Sequence, residues 1–279
     1  MSASSGPVTA KPISVRVDGN LRKQLRQPRL AELVAEELRQ RITSGALRDG
    51  DLLPKLEELL EEFNVSKPSL REALRILETE GLITVRRGNM GGAVVHAPGS
   101  RDAGYMIGLV LESRNVTVRD LAEAIKQFEP ICAALCAQRP DRMTAVVPSL
   151  RRIQERQKKA TDDPLAFARI GREFHEVLVE RAGNETIKLV MGALEAVWSA
   201  GEQVWAERAT STQSMPDGRT RNAGLRAHER VIEMIAKGDS TGVAAAARKH
   251  LESAQLYAVA DPDEAVKASA VRATKESRA

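Results

Sequence analysis

The chain has 279 residues and a net charge of +4, with 42 % hydrophobic and only 3 % aromatic residues and two cysteines. This length suggests two domains, and the scarcity of aromatic residues favours helices over a β-sandwich or barrel. Two cysteines exclude a disulfide scaffold, no run of about 18 apolar residues could span a membrane, and the first residues lack a hydrophobic signal core, so we expect a cytoplasmic protein.

The first predicted segment is a flexible arm over residues 1–27, which contains Ser, Pro, Gly and scattered charges without hydrophobic periodicity. Residues 1–28 carry five basic and one acidic side chain, whereas residues 29–96 carry ten basic and twelve acidic ones, a net charge of −2. Because no domain is strongly basic as a whole, any nucleic-acid binding must depend on where a few cations are placed.

Residues 28–97 show the pattern of a winged helix-turn-helix domain. Apolar residues recur at spacings of three and four up to Gly45, a short helix is predicted over 55–63, and a third helix follows the N-cap Ser66 and ends at Gly81. Residues 82–96 change to two β-type runs around a glycine-rich tip, which predicts a hairpin. The order helix, helix, turn, helix, hairpin is typical of this fold, with the hairpin as its wing.

The third predicted helix carries a basic stripe opposite a leucine face, because its cations are spaced four residues apart. In a helix-turn-helix the second helix of the motif lies in the major groove, where such side chains contact bases and phosphates. The candidate DNA-contacting residues of this helix are Ser66, Lys67, Ser69, Arg71 and Arg75. Arg86 and Arg87 precede the glycine-rich tip of the hairpin and could enter the adjacent minor groove. The alternative is a solvated charged face on a helical hairpin.

The stretch from 45 to 92 resembles the N-terminal domain of GntR-family bacterial transcription regulators. It contains the turn G-x-L-x-x-G-D-x-L-P, followed by V-S-K-x-x-L-R-E-A-L-R-x-L-E-x-E-G-L. The resemblance implies that Ser66, Lys67, Ser69 and Arg71 contact DNA, and that Gly88 to Gly91 form the wing tip. The family usually has a DNA-contacting Arg where this chain has Glu57, which would repel phosphate, and Lys55 is positioned to compensate.

Residues 101–260 have helical periodicity throughout and predict an all-α bundle of six or seven helices, after a hinge at 98–100 and before a polar tail over 261–279. Three of the four histidines, His175, His228 and His250, lie in three amphipathic helices of this bundle. Imidazoles from three helices can converge on a divalent metal. Three unrelated, half-buried histidines are the alternative, which the pattern by itself leaves open.

The motif F-H-x-x-L-x-x-x-A-G-N at 174–184, followed by histidines at 228 and 250, is similar to the FCD effector domain of the FadR subfamily of GntR regulators. The resemblance implies that His175, His228 and His250 bind a divalent metal, commonly zinc or nickel. In the family an Asp one turn before the first histidine is the fourth ligand, and this chain has Gly171 there.

A second departure from the family concerns the effector pocket. The family usually has an Arg about four residues before the position of Glu129, which binds the carboxylate of the ligand, and this chain has Ile125 there. Ile125, Glu129 and Trp198 lie on apolar helix faces, so they fit either a core or a pocket for a lipid-like or acyl effector. Arg172, near His175, is a candidate partner for a carboxylate.

Together these features predict a ligand-responsive regulator that binds a pseudo-palindromic double-stranded DNA operator as a homodimer. We expect a repressor that is released by a small carboxylic, acyl or lipid-like effector. The alternative is a metal-binding helical interaction protein with a degenerate DNA-binding domain, which Glu57 and the negative charge of residues 29–96 favour. We do not expect an enzyme, because the sequence has no H-E-x-x-H motif, nucleophile elbow, P-loop or dinucleotide fingerprint.

Overall fold

The computed structural model describes residues 28–86, 92–211, 215–258 and 263–271. The described residues up to Pro98 form one compact unit, here called the head, and those from Gly99 onwards form a second, here called the bundle. The predicted arm over 1–27 lies outside the described residues, as do Arg87, Gly88 and Gly91 of the predicted wing.

The head contains three helices followed by a two-stranded antiparallel hairpin, and this confirms the predicted winged helix-turn-helix. Its elements are α1 (Pro28–Thr43), α2 (Leu56–Phe63), α3 (Lys67–Thr79), β1 (Ile83–Arg86) and β2 (Gly92–Val95). In the hairpin, Ile83 pairs with Val95 and Arg86 pairs with Gly92. Apolar side chains from all three helices pack against the hairpin to form one core, which includes Leu38, Leu59, Leu70, Leu77, Ile83 and Val95.

The local sequence explains where helix α3 begins and where the chain turns from this helix into the hairpin. The Ser66 side chain accepts a hydrogen bond from a backbone N–H of the first turn, and Pro68 lies in that turn, where a missing N–H leaves no bond unmade. After the helix, Gly81 has a φ of +76°, a left-handed conformation that glycine adopts without strain. Strand β1 starts two residues later.

The bundle consists of seven α-helices in the described residues, at the upper end of the predicted number. They are α4 (Ser100–Ser113), α5 (Val118–Gln138), α6 (Val147–Lys159), α7 (Pro164–Glu180), α8 (Glu185–Ser211), α9 (Gly218–Lys237) and α10 (Ser240–Ala258). A π-helical turn, Arg142–Val146, leads into α6. Five of these helices, α5, α6, α7, α9 and α10, enclose the largest core cluster, with Phe174 and Ile232 fully buried in it. Among the helices that the structure describes, none has the length and apolarity needed to cross a membrane.

The segment from Asp263 to Val271 packs on the bundle, so the prediction of a polar tail over 261–279 is wrong for these residues. Val118 N–H donates to the Glu264 carbonyl at 2.9 Å, and Val266 N–H donates to the Val116 carbonyl at 2.9 Å. Val266 and Val271 are buried in the same cluster as Leu121 and Ile125. A few small apolar residues in a polar stretch carry too weak a periodic signal for the sequence to reveal this docking.

Candidate functional site

Helix α3 exposes the predicted basic stripe. The side chains of Lys67, Arg71 and Arg75 face solvent, whereas Leu70 and Leu77 are buried in the core of the head. Several acidic residues of the head are held in ion pairs with arginines of α1.

Two ion pairs show where that acidic charge lies: Glu80 bridges Arg39 at 2.7 Å, and Glu62 bridges Arg41 at 2.7 Å. The negative charge of the head is therefore partly neutralised by arginines of α1, and the cations of α3 remain on an exposed face.

Ser69 differs from the other predicted DNA-contacting residues of α3, because its side chain is only 8 % exposed. Its Oγ lies 2.9 Å from the Oγ of Ser66, and its backbone N–H donates to that Ser66 oxygen. Ser69 therefore takes part in the helix cap, and its contact with DNA stays a prediction. Ser66 itself is exposed at the start of the helix.

Two further predicted contacts in the described part of the head, Lys55 and Arg86, lie at its surface. Lys55 and Glu57 are both exposed at the start of α2, where the Lys55 backbone N–H donates to the Glu58 carboxylate at 2.8 Å. Arg86 is exposed at the end of β1. Lys55 and Glu57 are thus both solvent-facing charges, as the expected compensation of Glu57 by Lys55 at a phosphate requires.

The bundle encloses a cavity of about 640 Å³, within the size range of small-molecule sites. Helices α5 to α10 all contribute to its wall, and we call it the histidine-lined cavity. The residues that the sequence predicted for the effector and the metal all line it: Ile125, Glu129, Arg172, Trp198, His175, His228 and His250.

The three histidines, although far apart in the chain, meet at one wall of this cavity. Nε2 of His228 lies 3.0 Å from Nε2 of His250, which in turn lies 3.4 Å from Nε2 of His175. One ligating nitrogen of each ring lies within 4.8 Å of the others. His228 and His250 are buried and His175 is half-buried, so the three rings form a compact cluster of nitrogen donors at the cavity wall.

In two of the rings, Nδ1, the nitrogen that does not face the cluster, contacts a buried side chain. Nδ1 of His175 lies 2.7 Å from Oε1 of the buried Glu129, and Nδ1 of His228 lies 2.9 Å from Oε1 of Gln157. The ring of Phe174 stacks on His228 with centroids 3.9 Å apart and planes 8° from parallel. Such partners orient imidazoles toward a shared centre.

Burial controls the protonation of this cluster. Burial, together with the neighbouring His250 and His175, lowers the pKa of His228 well below its ordinary value. Burial and the charge of His175 lower the pKa of His250 to about 3, against the opposing effect of Glu129. Both rings are therefore neutral near neutral pH, which is the form that ligates metals.

Glu129 shows the opposite balance between burial and neighbouring charge. Burial by itself would raise the pKa of its carboxyl, but the charge of His175 and the hydrogen bond with it bring the pKa below its ordinary value. Glu129 is therefore an ionised carboxylate that accepts a hydrogen bond from Nδ1 of His175.

The sequence missed two polar residues of this wall, Gln157 and Glu195, which are buried and line the cavity. Gln157 lies on the apolar face of α6 together with Leu150 and Ile153. The sequence did contain a signal for Gln157, because it is a polar residue at a position where the helical period predicts an apolar one. A second cavity of about 740 Å³ shares Arg172 and Glu195 with the first.

Basic side chains outnumber acidic ones around the histidine-lined cavity. Its basic lining residues are Arg172, Arg219, Arg221, Arg226, Arg230 and Lys249. Glu129 and Glu195 are the acidic residues among the described part of the lining. The cavity thus combines nitrogen donors, apolar walls and an excess of positive charge, which suits an organic anion.

Comparison with known protein families agrees with this division into a head and a bundle. Residues 30–95 match the family described as "Bacterial regulatory proteins, gntR family", and residues 120–253 match the FCD domain. The first match spans the helix-turn-helix and hairpin, and the second spans the helices that carry the three histidines.

Characterised relatives and solved structures cover most of the chain. The HTH-type transcriptional regulator Mce2R of Mycobacterium tuberculosis (strain CDC 1551 / Oshkosh) is 27 % identical over 240 residues, 82 % of this chain and 91 % of that protein. The HTH-type transcriptional repressor NanR of Escherichia coli (strain K12) is 27 % identical over 244 residues, 86 % and 89 % of the two chains. A solved structure, Streptococcus agalactiae GntR, covers 81 % of this chain and 99 % of its own with a TM-score of 0.61 at 22 % identity, and supports the fold.

The fold and the two sites define a ligand-responsive, DNA-binding transcriptional regulator, in which the head is the DNA-binding unit and the bundle is the effector unit. The chain belongs to the GntR family of bacterial regulatory proteins and carries an effector domain of the FCD type.

Proposed function

We propose that this regulator is a repressor that leaves its operator when a small organic acid binds, together with a divalent metal, in the histidine-lined cavity. The observation that carries the proposal is the convergence of three Nε2 atoms at one wall of a cavity in which apolar side chains predominate and basic residues outnumber acidic ones. A relative of similar length carries the name of a repressor, which favours repression over activation.

The donor set fits a divalent metal. His175, His228 and His250 would hold it, and three neutral imidazoles suit zinc or nickel. A bound metal would supply positive charge at the cavity wall. Because Gly171 adds no carboxylate, the protein ligands are neutral and leave coordination positions for water or for an anionic effector.

The cavity lining supports an organic acid as the effector. Arg226, Arg230 and Lys249 line the cavity from the helices that carry His228 and His250, and each is solvent-exposed. These cations attract an anion and orient its entry, whereas Ile125 and Trp198 provide apolar contact for its carbon skeleton. The effector can weaken operator binding only if it binds the DNA-free protein more tightly than the DNA-bound protein, and the ratio of the two affinities sets the size of the effect.

In the head, the exposed face of α3 supports DNA contacts through Lys67, Arg71 and Arg75, with Ser66, Lys55 and Arg86 at its margins. Arg87, Gly88 and Gly91 stay in the proposal as wing residues on the sequence evidence alone. The interaction-protein alternative is not favoured, because the family match of the head runs through the whole helix-turn-helix and hairpin.

A homodimer on a pseudo-palindromic operator is part of the proposal. On α5, Phe128 is 48 % exposed and Ile131 is 46 % exposed, and both lie on the same helical face as Ala124 and Leu135. An exposed apolar stripe of this kind suits burial against a second copy of the chain.

The test uses the full chain and an operator selected from random DNA. Metal-loaded protein should contain about one zinc or nickel ion per chain by elemental analysis, and the H175A/H228A/H250A variant should contain none. Organic acids that raise the melting temperature of the loaded protein should also release the operator in a fluorescence anisotropy titration. The proposal fails if metal retention is unaffected by the triple substitution, or if acids that bind the cavity leave operator affinity unchanged.

A further inference from the structure

We infer that Gln157 is a positioning residue that holds His228 in the tautomer required for metal binding, and that the missing side chain at Gly171 makes room for the Gln157 amide. The inference rests on the proposed metal site and adds two residues to it, neither of which would touch the metal.

The orientation of the Gln157 amide follows from its two partners. Its Nε2 donates to the Phe167 carbonyl oxygen at 3.3 Å, and its Oε1 lies 2.9 Å from Nδ1 of His228. The reverse orientation would place the amide oxygen against a carbonyl oxygen, and neither of those atoms can donate. Gln157 is only 3 % exposed, so water does not readily replace either partner.

This orientation determines the tautomer of His228. An amide oxygen only accepts hydrogen bonds, so Nδ1 of His228 must carry the proton. In a neutral imidazole the other nitrogen is then unprotonated. That nitrogen is Nε2, which faces Nε2 of His250. The stacked ring of Phe174 keeps the His228 ring in this plane.

Gly171 provides the space that the amide occupies. A Cβ atom at this position would lie 2.7 Å from Nε2 of Gln157, closer than atoms in ordinary contact approach. Gly171 lies inside α7, where glycine weakens a helix relative to alanine, and it has no left-handed φ that would require glycine. The packing of the Gln157 amide gives a reason for glycine at this position.

The two residues therefore act as a unit. A side chain at position 171 would force the amide to move from the place in which it contacts His228. The acceptor for His228 is a neutral amide, whereas Glu129 holds His175 with a carboxylate. The ring cluster is thus held by one neutral and one charged acceptor.

The test compares Q157L with Q157E, G171A and the double variant Q157L/G171A. Zinc affinity is measured by competition with a chelator, and the His228 tautomer in metal-free protein is measured by long-range ¹⁵N–¹H NMR. Q157L should weaken zinc binding by about 10–100-fold, as loss of such partners typically does, and should remove the signature of a protonated Nδ1. Q157E retains an acceptor for Nδ1 of His228 but loses the donor to the Phe167 carbonyl, so it should keep the signature of a protonated Nδ1 and recover part of the affinity.

The losses of zinc affinity in the two single variants and in the double variant show whether Gln157 and Gly171 act together or independently. G171A should displace the amide and weaken zinc binding in the same direction as Q157L, and the double variant should bind about as weakly as Q157L by itself. Q154L is the matched control: Gln154 is also buried on α6, but it donates to the Leu225 carbonyl at 2.8 Å and does not line the cavity. It should leave zinc affinity and the His228 tautomer unchanged.

Several results would overturn the inference: Q157L with wild-type zinc affinity and an unchanged tautomer, Q154L with an equal loss, or additive losses in the double variant. If the wild-type protein binds no zinc, the proposed metal site fails. The ¹⁵N measurement then still decides whether Gln157 sets the tautomer, because it is made without metal.

Discussion

The head and the bundle use polar side chains in different surroundings. Lys67 and Arg71 of the head lie on an exposed helix face, where water and salt screen their interactions. Glu129, Gln157 and His228 of the bundle are buried, where each group depends on a particular partner. Substitutions on α3 should therefore change DNA affinity with little effect on stability, whereas substitutions at the cavity should affect ligand binding and stability together.

The largest expected effect is the loss of metal when one buried imidazole is removed. H228A deletes a ring whose Nε2 faces the centre of the cluster, so zinc affinity should fall by more than the roughly 10–100-fold that is typical for an outer partner. Chelator competition measures this change. H96A is the control, because His96 lies in the head and bonds Thr84 at 2.8 Å. Equal zinc affinity in the wild type and H228A would contradict the site.

The head should respond to charge without unfolding. K67A/R71A should weaken operator binding by about 100-fold, because each lost base or phosphate contact contributes roughly 1–3 kcal/mol. The dependence of affinity on salt should become shallower, since fewer counterions are released. R48A removes another exposed cation of the head, outside α3, and should have a smaller effect.

The K67A/R71A variant should unfold at nearly the same temperature as the wild type. Surface substitutions usually change unfolding free energy by about 0.5 kcal/mol or less, so thermal unfolding should stay close to wild type. A large drop in melting temperature would show that the two cations contribute to packing in the head, against the exposure that the structure shows for them.

The docked C-terminal segment should behave as part of the bundle core. V266A removes two methyl groups from a buried side chain and should destabilise the bundle by about 1.5 kcal/mol. Denaturant unfolding measures the loss, with V110A as the control because Val110 is 48 % exposed. Equal stability of V266A and the wild type would mean that this segment contributes nothing to the core.

The smallest expected effect concerns the two cysteines. Burial raises the pKa of Cys132 and of Cys136 to about 12, and the Cys136 thiol donates to the Leu178 carbonyl at 3.3 Å. At about pH 8 a thiol reagent should label neither residue in the folded protein and both after unfolding.

The raised pKa of the two thiols also predicts a pH dependence of the free energy of unfolding. Between about pH 9 and about pH 12 the thiols ionise in the unfolded chain but stay protonated in the folded chain, so the free energy of unfolding should fall as the pH rises through this range. Rapid labelling of the folded chain would contradict the burial of these residues.

The helical period and the chemistry of the turns were enough to predict the head. Apolar spacing placed leucines on one side of α3 and cations on the other, and the Ser66 and Pro68 positions marked its start. The period predicts this because the two faces of a single helix are determined by residues close together in the chain. The sequence predicted Ser69 as a DNA contact and did not reveal its hydrogen bonds to Ser66, because a cap partner and a solvent-facing residue can occupy the same position of a first turn.

In the bundle, helical periodicity was enough to predict that three histidines lie on three amphipathic helices, and the resemblance indicated that they belong together. The folded bundle was needed to see that Gln157 supports His228, that Glu129 supports His175, and that Val266 and its neighbours dock on the bundle. These contacts join residues distant along the chain, so no local pattern specifies them. Helical periodicity specifies which face of a helix is buried, but the packing of several helices decides which buried polar groups meet.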